Sequence, residues 1–433
     1  MYSTEYQNKY VRTRQNHSTA KPIKKGRENS EKPVCTQLKL GVWNAAEAAT
    51  QDFQRLVNIV ACELELKTMD VLGLCEANVY PNTITSCLKI PGYSLEVGRG
   101  VKKDEGANAR VVAYISDEVE YKRLEDLEER SEMPAIWLEM GTGKKTKFIL
   151  GIIYREHKSW RGNEAELRLA CQQKRWRDWL NTYHDIWEGD REVVVMGDFN
   201  IDLKRKESGC KARMQQDTTS KILSKGWCQL MQEKTFKSKS RAVHGKEGGS
   251  TIDWILANKP ENIVRTKAEW TGSGADHAIV WTIKEMKEKF RKKEMTRKRV
   301  WKNFELEELK READRLDWTV KGELTTRTSI EEAVGELEGK IKQVMDQVAP
   351  MKTIEKKRKR SRWLSKGLKS QIENVRKARM NYIKTGCLKK KEEWKAERRQ
   401  VGKEVRQAKK MYTRKGIEDK NDRPGDDGTL RSV

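Results

Sequence analysis

Between Leu38 and Ile283 the chain is written in short apolar runs, four to seven residues long and rich in Val, Ile, Leu and Trp, with polar loops between them. Runs of that length suit strands, and amphipathic stretches between some of them suit helices. The expected strands are Leu38–Trp43, Val71–Leu74, Ser94–Val97, Val111–Ile115, Ile136–Met140, Phe148–Tyr154, Glu192–Met196, Thr251–Leu256 and Ala278–Ile283. Apolar residues at helical spacing predict helices over Phe53–Leu66 and Glu164–Trp187. Many strands with a few interspersed helices predict a layered α/β domain of roughly 250 residues.

The segments on either side differ in charge. Residues 37–286 are nearly neutral, at +1, whereas residues 1–36 carry +5 and residues 287–433 carry +19 of the net +25. The first 36 residues lack periodicity and read as a disordered basic arm. Residues 286–420 read as a basic, mainly helical linker in which the strands stop, with a helix near 329–347 marked by Val334, Leu337, Ile341 and Val344. Residues 421–433 read as a frayed end. Trp363, Tyr382, Trp394 and Tyr412 interleave with Lys and Arg, which suits nucleic-acid contact; a solvated helical surface with a few anchoring aromatics would look the same. No apolar run approaches the ~20 residues that cross a bilayer, and no secretory signal opens the chain. The eight cysteines lack zinc spacing and read as reduced, mostly buried thiols of an intracellular protein.

Residues able to bind metal or phosphate recur at strand ends. Leu38–Trp43 runs into Asn44, and Val71–Cys75 runs into Glu76. Phe148–Ile153 ends at Tyr154, and Val193–Met196 leads through Gly197 into Asp198-Phe199-Asn200. Asp253 lies in the strand around Ile252, and Asp276-His277 precedes Ala278–Ile283. Strand termini of a layered α/β domain converge on one rim, so these positions can share a cleft. Singly each is ordinary: Gly197-Asp198-Phe199-Asn200 also suits a turn, and Asp276-His277 a cap. Together, hard oxygen donors beside His and Tyr point to metal-assisted phosphoester hydrolysis. No P-loop, Ser-nucleophile motif or H-E-x-x-H is present.

The series Trp43-Asn44, Cys75-Glu76, Ile153-Tyr154, Gly197-Asp198-Phe199-Asn200, Ser250-Thr251-Ile252-Asp253-Trp254-Ile255 and Asp276-His277 resembles the endonuclease/exonuclease/phosphatase superfamily over roughly residues 37–285. Within it, the likeness is to the apurinic-type endonuclease domain of non-LTR (LINE-type) retrotransposons. The resemblance implies a four-layered α/β sandwich, two mixed β-sheets flanked by helices. It also implies residue roles. Glu76 is the principal ligand of Mg²⁺, for which Mn²⁺ can substitute, with Asn44 beside it and Asp276 assisting. Asp198 acts on the attacking water, Asn200 holds the phosphate, and Tyr154 contacts the phosphate or the leaving group. His277, oriented by Asp253, hydrogen-bonds a phosphate oxygen, and Thr235 lies near the phosphate. Two positions depart from the pattern: Ala275 stands where the family usually has Ser, and Ala46 where repair relatives have a metal-binding Asp. The second change favours the retrotransposon branch.

After the domain, Val300-Trp301-Lys302-Asn303-Phe304, Ala349-Pro350 and Trp363-Leu364-Ser365 resemble the linker between endonuclease and reverse transcriptase in such elements. The chain therefore reads as the N-terminal part of a retrotransposon polyprotein, from a truncated copy or a split gene model. The expected activity is Mg²⁺-dependent nicking of duplex DNA that leaves a 3′-hydroxyl. Expected partners are DNA, element RNA and a reverse transcriptase, with no membrane; the expected location is the nucleus. The cluster Lys356, Lys357, Arg358, Lys359 and Arg360 is the expected nucleic-acid contact. Two alternatives stay open: a decayed remnant that only binds nucleic acid, and a small-molecule phosphatase of the same superfamily.

Overall fold

A computed structural model describes residues 37–45, 53–81, 83–101, 108–141, 147–157, 165–237, 249–286, 295–301, 305–319, 327–355 and 363–421. The first strand, β1 (Gln37–Asn44), sends Leu38, Leu40 and Val42 to one side, while Trp43 packs on the other. That alternation is what a sheet between two layers requires. Helix α1 (Phe53–Lys67) crosses to β2 (Val71–Val79), which runs parallel to β1. Three antiparallel strands follow: β3 (Tyr93–Val97), β4 (Gly100–Val101) and β5 (Asn108–Ser116). The second sheet begins with β6 (Tyr121–Arg123), short helix α2 (Glu125–Glu129), β7 (Ala135–Met140) and β8 (Phe148–Tyr154). Helices α3 (Ala165–Thr182) and α4 (His184–Glu188) lead to β9 (Val193–Asp198), and α5 (Gly209–Lys221) to β10 (Cys228–Gln229) and β11 (Asp253–Ala257). The chain then returns to the first sheet as β12 (Ile263–Glu269) and β13 (Ile279–Glu285).

The two sheets have strand orders β12-β13-β1-β2-β5-β3, with β4 also on β5, and β10-β11-β9-β8-β7-β6. Each is mixed: β1–β2 and β8–β9 are parallel and the other pairs antiparallel. Their facing sides interlock through Leu40, Val42, Val111 and Ile115 from one and Ile136, Leu150, Ile152 and Met196 from the other. The outer face of the second sheet is covered by α3–α5, where Trp176, Trp179, Tyr183 and Trp187 form an aromatic layer with Trp254 and Phe199. Stacked and edge-on rings of this kind add directional attraction to the area they bury. The outer face of the first sheet is covered by α1 through Leu56, Val57, Val60 and Leu64. The architecture is therefore two mixed β-sheets flanked by helices, as expected.

Among the described residues, those up to 286 group with those from 363 onward, and those between 295 and 355 form a separate unit. The separate unit pairs β14 (Met295–Arg299) with β15 (Met351–Glu355) and holds α6 (Leu306–Asp314) and α7 (Arg327–Val348). Strands thus recur after Ile283, contrary to the sequence expectation; both are short, and six of their ten residues are Lys, Arg or Thr, so no apolar run announces them. The predicted helix near 329–347 is α7, but Val334, Leu337 and Ile341 are exposed, while Val344 and Val348 are buried.

Two helices close the described chain. In α8 (Lys366–Thr385), the Ser365 hydroxyl accepts the Leu368 N–H at 3.1 Å, and Gly386 ends the helix at φ 64°. Both are common terminators, a side-chain N-cap and a left-handed glycine. After that turn comes α9 (Leu388–Asn421), antiparallel packing partner of α8. Trp363, Leu364, Leu368 and Val405 join the cluster that α1 makes on the first sheet, so this hairpin is part of the α/β domain's outer layer. Three smaller corrections concern helices, cysteines and an edge strand. The stretch predicted as one helix breaks at Tyr183, whose hydroxyl turns in to donate to the Leu127 carbonyl at 2.6 Å. Of the described cysteines only Cys62 and Cys75 are buried, and all are free thiols. The charged edge strand β12 (IVRTKAE) hides from apolar-run counting because half of it faces solvent. Among the described residues no helix is long and apolar enough to cross a membrane.

Candidate active site

Strand register places the polar strand ends together. In the parallel pairs Asn44 lies opposite Cys75, one residue before Glu76, and Tyr154 lies opposite Asp198. Antiparallel β11 sets Asp253 against Asp198. Gly197 is what lets β9 approach β8 here: a Cβ on it would sit 1.8 Å from the Ile153 carbonyl oxygen. Gly197→Ala is therefore expected to lower the unfolding free energy by about 3 kcal/mol or more, read as a lowered midpoint in thermal or urea unfolding.

One chain of contacts links both sheets. Asn44 Nδ2 donates to Glu76 Oε1 at 3.0 Å and to Asp198 Oδ2 at 2.8 Å. The Tyr154 hydroxyl donates to Glu76 Oε1 at 2.7 Å. The Asn200 backbone N–H holds Asp198 Oδ1 at 2.9 Å, and its side-chain amide donates to the Arg155 carbonyl at 2.9 Å. Across the cleft His277 Nδ1 meets Asp253 at 2.9 and 3.1 Å, and its Nε2 stands 3.9 Å from Asp198 Oδ2. The Asp198 and Asp253 side chains are each 1% exposed, and that of His277 12%.

The electrostatics follow from this crowding. Burial, then the Asp253 charge, pushes the Asp198 carboxyl up to about 7, against the opposing pull of His277 and the Asn44 amide. Burial alone would lower the His277 imidazole; the Asp253 charge and hydrogen bond, with Asp198 and Glu76 behind them, outweigh it and raise it to about 9. Burial and the Glu76 charge raise the Tyr154 phenol, so it keeps its proton at neutral pH.

The backbone is strained at the same place. Glu76, Asn78 and Asn200 adopt φ of 56°, 52° and 51°, a left-handed region that non-glycine residues rarely occupy. Three such residues around one cleft mark a site whose geometry is over-determined by its surroundings. Glu76 lies within β2, where pairing with β5 is interrupted between Cys75 and Val79. The bulge turns the Glu76 carboxylate into the cleft.

Of the remaining sequence candidates, Thr235 is wholly buried, and its hydroxyl accepts the backbone N–H groups of Ile252 at 3.2 Å and Asp253 at 3.1 Å. It supports the start of β11, and thereby Asp253, from within the core. Asp276 is half-buried, and its carbonyl accepts from Lys237 N at 3.0 Å. Ala275 is buried, its N–H donating to the Ser273 hydroxyl at 3.3 Å. Ala46 and the cluster Lys356–Arg360 lie outside the described residues.

Sequence reasoning missed three participants. Arg110, on β5, donates to Asn78 Oδ1 at 2.6 Å and to the Tyr154 hydroxyl at 3.3 Å, with its guanidinium over the Tyr154 ring. A lone arginine at the head of the apolar run Val111–Ile115 was its signal. Phe236 packs its ring 4.8 Å from the His277 ring and bridges to both Ser250 and His277. Trp43 Nε1 donates to the His277 carbonyl at 3.3 Å.

The donor set fits a hard divalent cation. Glu76 Oε1 is engaged twice, while Oε2 has no hydrogen bond among the described residues. Asp198, Asp253 and His277 offer ligand atoms within 4.8 Å of one another.

The sequence pattern of the endonuclease/exonuclease/phosphatase family matches residues 41–277, more than half the chain and inclusive of every one of these groups. A comparison with curated protein sequences gives no match. Among solved structures the chain is similar to an AP endonuclease from Leishmania major, at 13% identity, with 58% of this chain and 88% of that one covered and a TM-score of 0.46. It is also similar to an AP endonuclease from Archaeoglobus fulgidus (16% identity, 57% and 98% covered, TM-score 0.42). The endonuclease domain of a telomere-specific non-LTR retrotransposon is similar at 12% identity, with 58% and 100% covered and a TM-score of 0.39.

Proposed function

The chain belongs to the endonuclease/exonuclease/phosphatase family, and from that premise we propose that it is a Mg²⁺-dependent DNA endonuclease, which nicks target DNA for retrotransposition. The observation that carries the reading is the continuous contact chain Tyr154–Glu76–Asn44–Asp198, closed across the cleft by His277–Asp253.

Glu76, with Asn44 beside it, is the place for the cation, and Asp276 is the further ligand that the family resemblance implies; the His277–Asp253 hydrogen bond already uses ligand atoms of the Asp198, Asp253 and His277 cluster. When bound, the cation offsets charge developing on the phosphate. Asp198, its two oxygens fixed by Asn44 and Asn200 N–H, accepts a proton from the attacking water. A carboxyl near 7 is suited to that at neutral pH. His277, protonated at that pH, offers Nε2 to a phosphoryl oxygen, and Asp253 fixes the ring. Tyr154, kept as the phenol by burial and supported by Arg110, faces the leaving group. Water attacks phosphorus, the P–O3′ bond breaks, and the departing oxygen takes a proton to become the 3′-hydroxyl that primes reverse transcription.

The retrotransposon assignment rests on sequence beyond the family-matched segment, Trp301 and Trp363-Leu364-Ser365 among it, and on Ala46. The inferred partners are duplex DNA, with element RNA and a reverse transcriptase, and the inferred location is the nucleus. The +19 charge of residues 287–433, including Lys356–Arg360, supports contact with polyphosphate.

The test is conversion of supercoiled plasmid to open circle by the full chain. Conversion is expected with Mg²⁺, is restored by Mn²⁺, and disappears in EDTA. Retained plasmid binding with no conversion in either metal would favour the remnant, and turnover of soluble phosphoesters without DNA cutting the phosphatase.

A further inference from the structure

His277 reaches the cleft on the loop between β12 and β13, and that loop is held from outside by the C-terminal helices. Arg379 of α8 donates to the Thr271 carbonyl at 2.6 Å and also to the Ala275 carbonyl. Arg398 of α9 donates to the Ser273 carbonyl at 2.7 Å. Three alternate carbonyls of one short loop thus accept from two guanidinium groups, the last of them two residues before His277. Beyond Ala275 the domain takes over: Asp276 O accepts from Lys237 N, His277 O from Trp43 Nε1, and Ala278 N donates to Thr235 O at 2.7 Å. The main chain from 271 to 278 is pinned along its length, by the hairpin first and the sheets second.

The arginines are themselves fixed. Arg379 is 6% exposed and lies between the rings of Trp270 and Trp394, each 5.6 Å from its guanidinium carbon. The Arg398 guanidinium carbon lies 5.1 Å from the centre of the Trp394 ring, and Trp394 stacks on Tyr382. Gly274, at φ 97°, gives Trp394 and Arg398 room against the loop, and Val375 packs on Gly272. The hairpin is anchored in turn to α1, by the Arg376–Glu63 ion pair and by Lys409 Nζ donating to Asn58 Oδ1 at 2.7 Å. A buried guanidinium is costly unless its donors are used, so Arg379 aimed at two loop carbonyls, with half-buried Arg398 on a third, is a specific arrangement.

We propose that Arg379 and Arg398 are positioning residues of the active site: the C-terminal hairpin sets the loop that holds His277 against Asp253 and Asp198. The proposal deepens the endonuclease reading and rests on it for the role of His277. Displacement of a catalytic group by about 1 Å from a distant change costs on the order of 10²-fold in rate.

The test uses the full chain with Arg379→Ala, Arg379→Lys and Arg398→Gln. The first readout is the low-field NMR signal of the His277 Nδ1–H bonded to Asp253, assigned by its loss in His277→Gln. The second is plasmid nicking, separated into kcat and KM. Arg379→Ala is expected to shift or broaden the signal and to lower kcat about 10- to 100-fold, with KM for DNA held within about twofold. Added guanidinium should restore both by filling the slot between the tryptophans, and Arg379→Lys, which can satisfy one carbonyl, should fall between. Arg398→Gln alters a half-exposed position that folding tolerates; a shifted His277 signal and a several-fold lower kcat are expected there. A wild-type His277 signal in both Arg379→Lys and Arg398→Gln overturns the proposal even where Arg379→Ala does not fold. A shifted signal in a chain that cuts nothing supports the positioning role and removes the endonuclease reading instead.

Discussion

Asp198→Asn is expected to abolish nicking, with a fall of about 10³-fold or more, while the protein becomes more stable. The loss follows from position: Asp198 stands between Asn44 and His277, both its oxygens directed, and an amide cannot take a proton from water. The gain follows from charge. Asp198 is 1% exposed, and burial and the Asp253 charge raise its carboxyl from 3.8 to about 7. A carboxyl raised on folding costs stability above its unfolded value, and the cost grows as pH climbs from about 4 to about 7. In EDTA, Asn at this position should therefore raise the unfolding free energy by ~1–3 kcal/mol at pH 7.5 and leave it nearly unchanged at pH 4. Urea unfolding at the two pH values beside the plasmid assay separates this from simple damage, since a variant that loses activity by misfolding loses stability as well. Retained nicking by Asp198→Asn would remove the residue from the reaction.

The strand ends were legible in the sequence because fully buried strands advertise themselves. In β8 (FILGIIY) and β9 (VVVMGD) every residue is buried, and each ends on a candidate site residue, Tyr154 or Asp198. What escaped was geometry that no run of residues encodes. Glu76 reads as the residue after a strand, whereas it sits inside β2 at a bulge where it and Asn78 are left-handed. Arg110 and Phe236 come from elements whose place beside the cleft is set by pairing across 40 residues or more. Thr235 was placed near phosphate by motif, and its hydroxyl is spent on the β11 backbone. In the tail the composition itself misled. Trp363, Leu368, Val375, Trp394 and Val405 recur among Lys and Arg, and a high charged fraction hides an apolar face that narrow. Trp363 and Trp394, read as candidates for stacking on bases, are buried within the protein.

That hidden face yields the largest expected effect on stability. A chain ended after residue 358 should lose most of its stability, with a midpoint at least ~10 °C lower and strong binding of a hydrophobic dye. Removing the hairpin strips Trp363, Leu364, Leu368 and Val405 from the cluster over the first sheet and uncovers Ile59, Cys62 and Leu66 on α1. At about 1.5–3 kcal/mol for each large side chain taken out of water, these seven groups amount to about 10–20 kcal/mol as an upper figure. The whole net stability of a domain is of that size. Glu63, 2% exposed beside Arg376, would also lose its guanidinium partner. A detachable nucleic-acid arm behaves otherwise: its deletion weakens DNA binding with a reduced salt slope and leaves the melting curve alone. A truncated chain that melts at the full-length temperature would assign the hairpin to that class. Because Arg379 and Arg398 lie within the deleted segment, full nicking by such a chain would also free His277 from them. Unfolding and nicking measured on the same truncated chain thus decide whether the last helices belong to the enzyme or only travel with it.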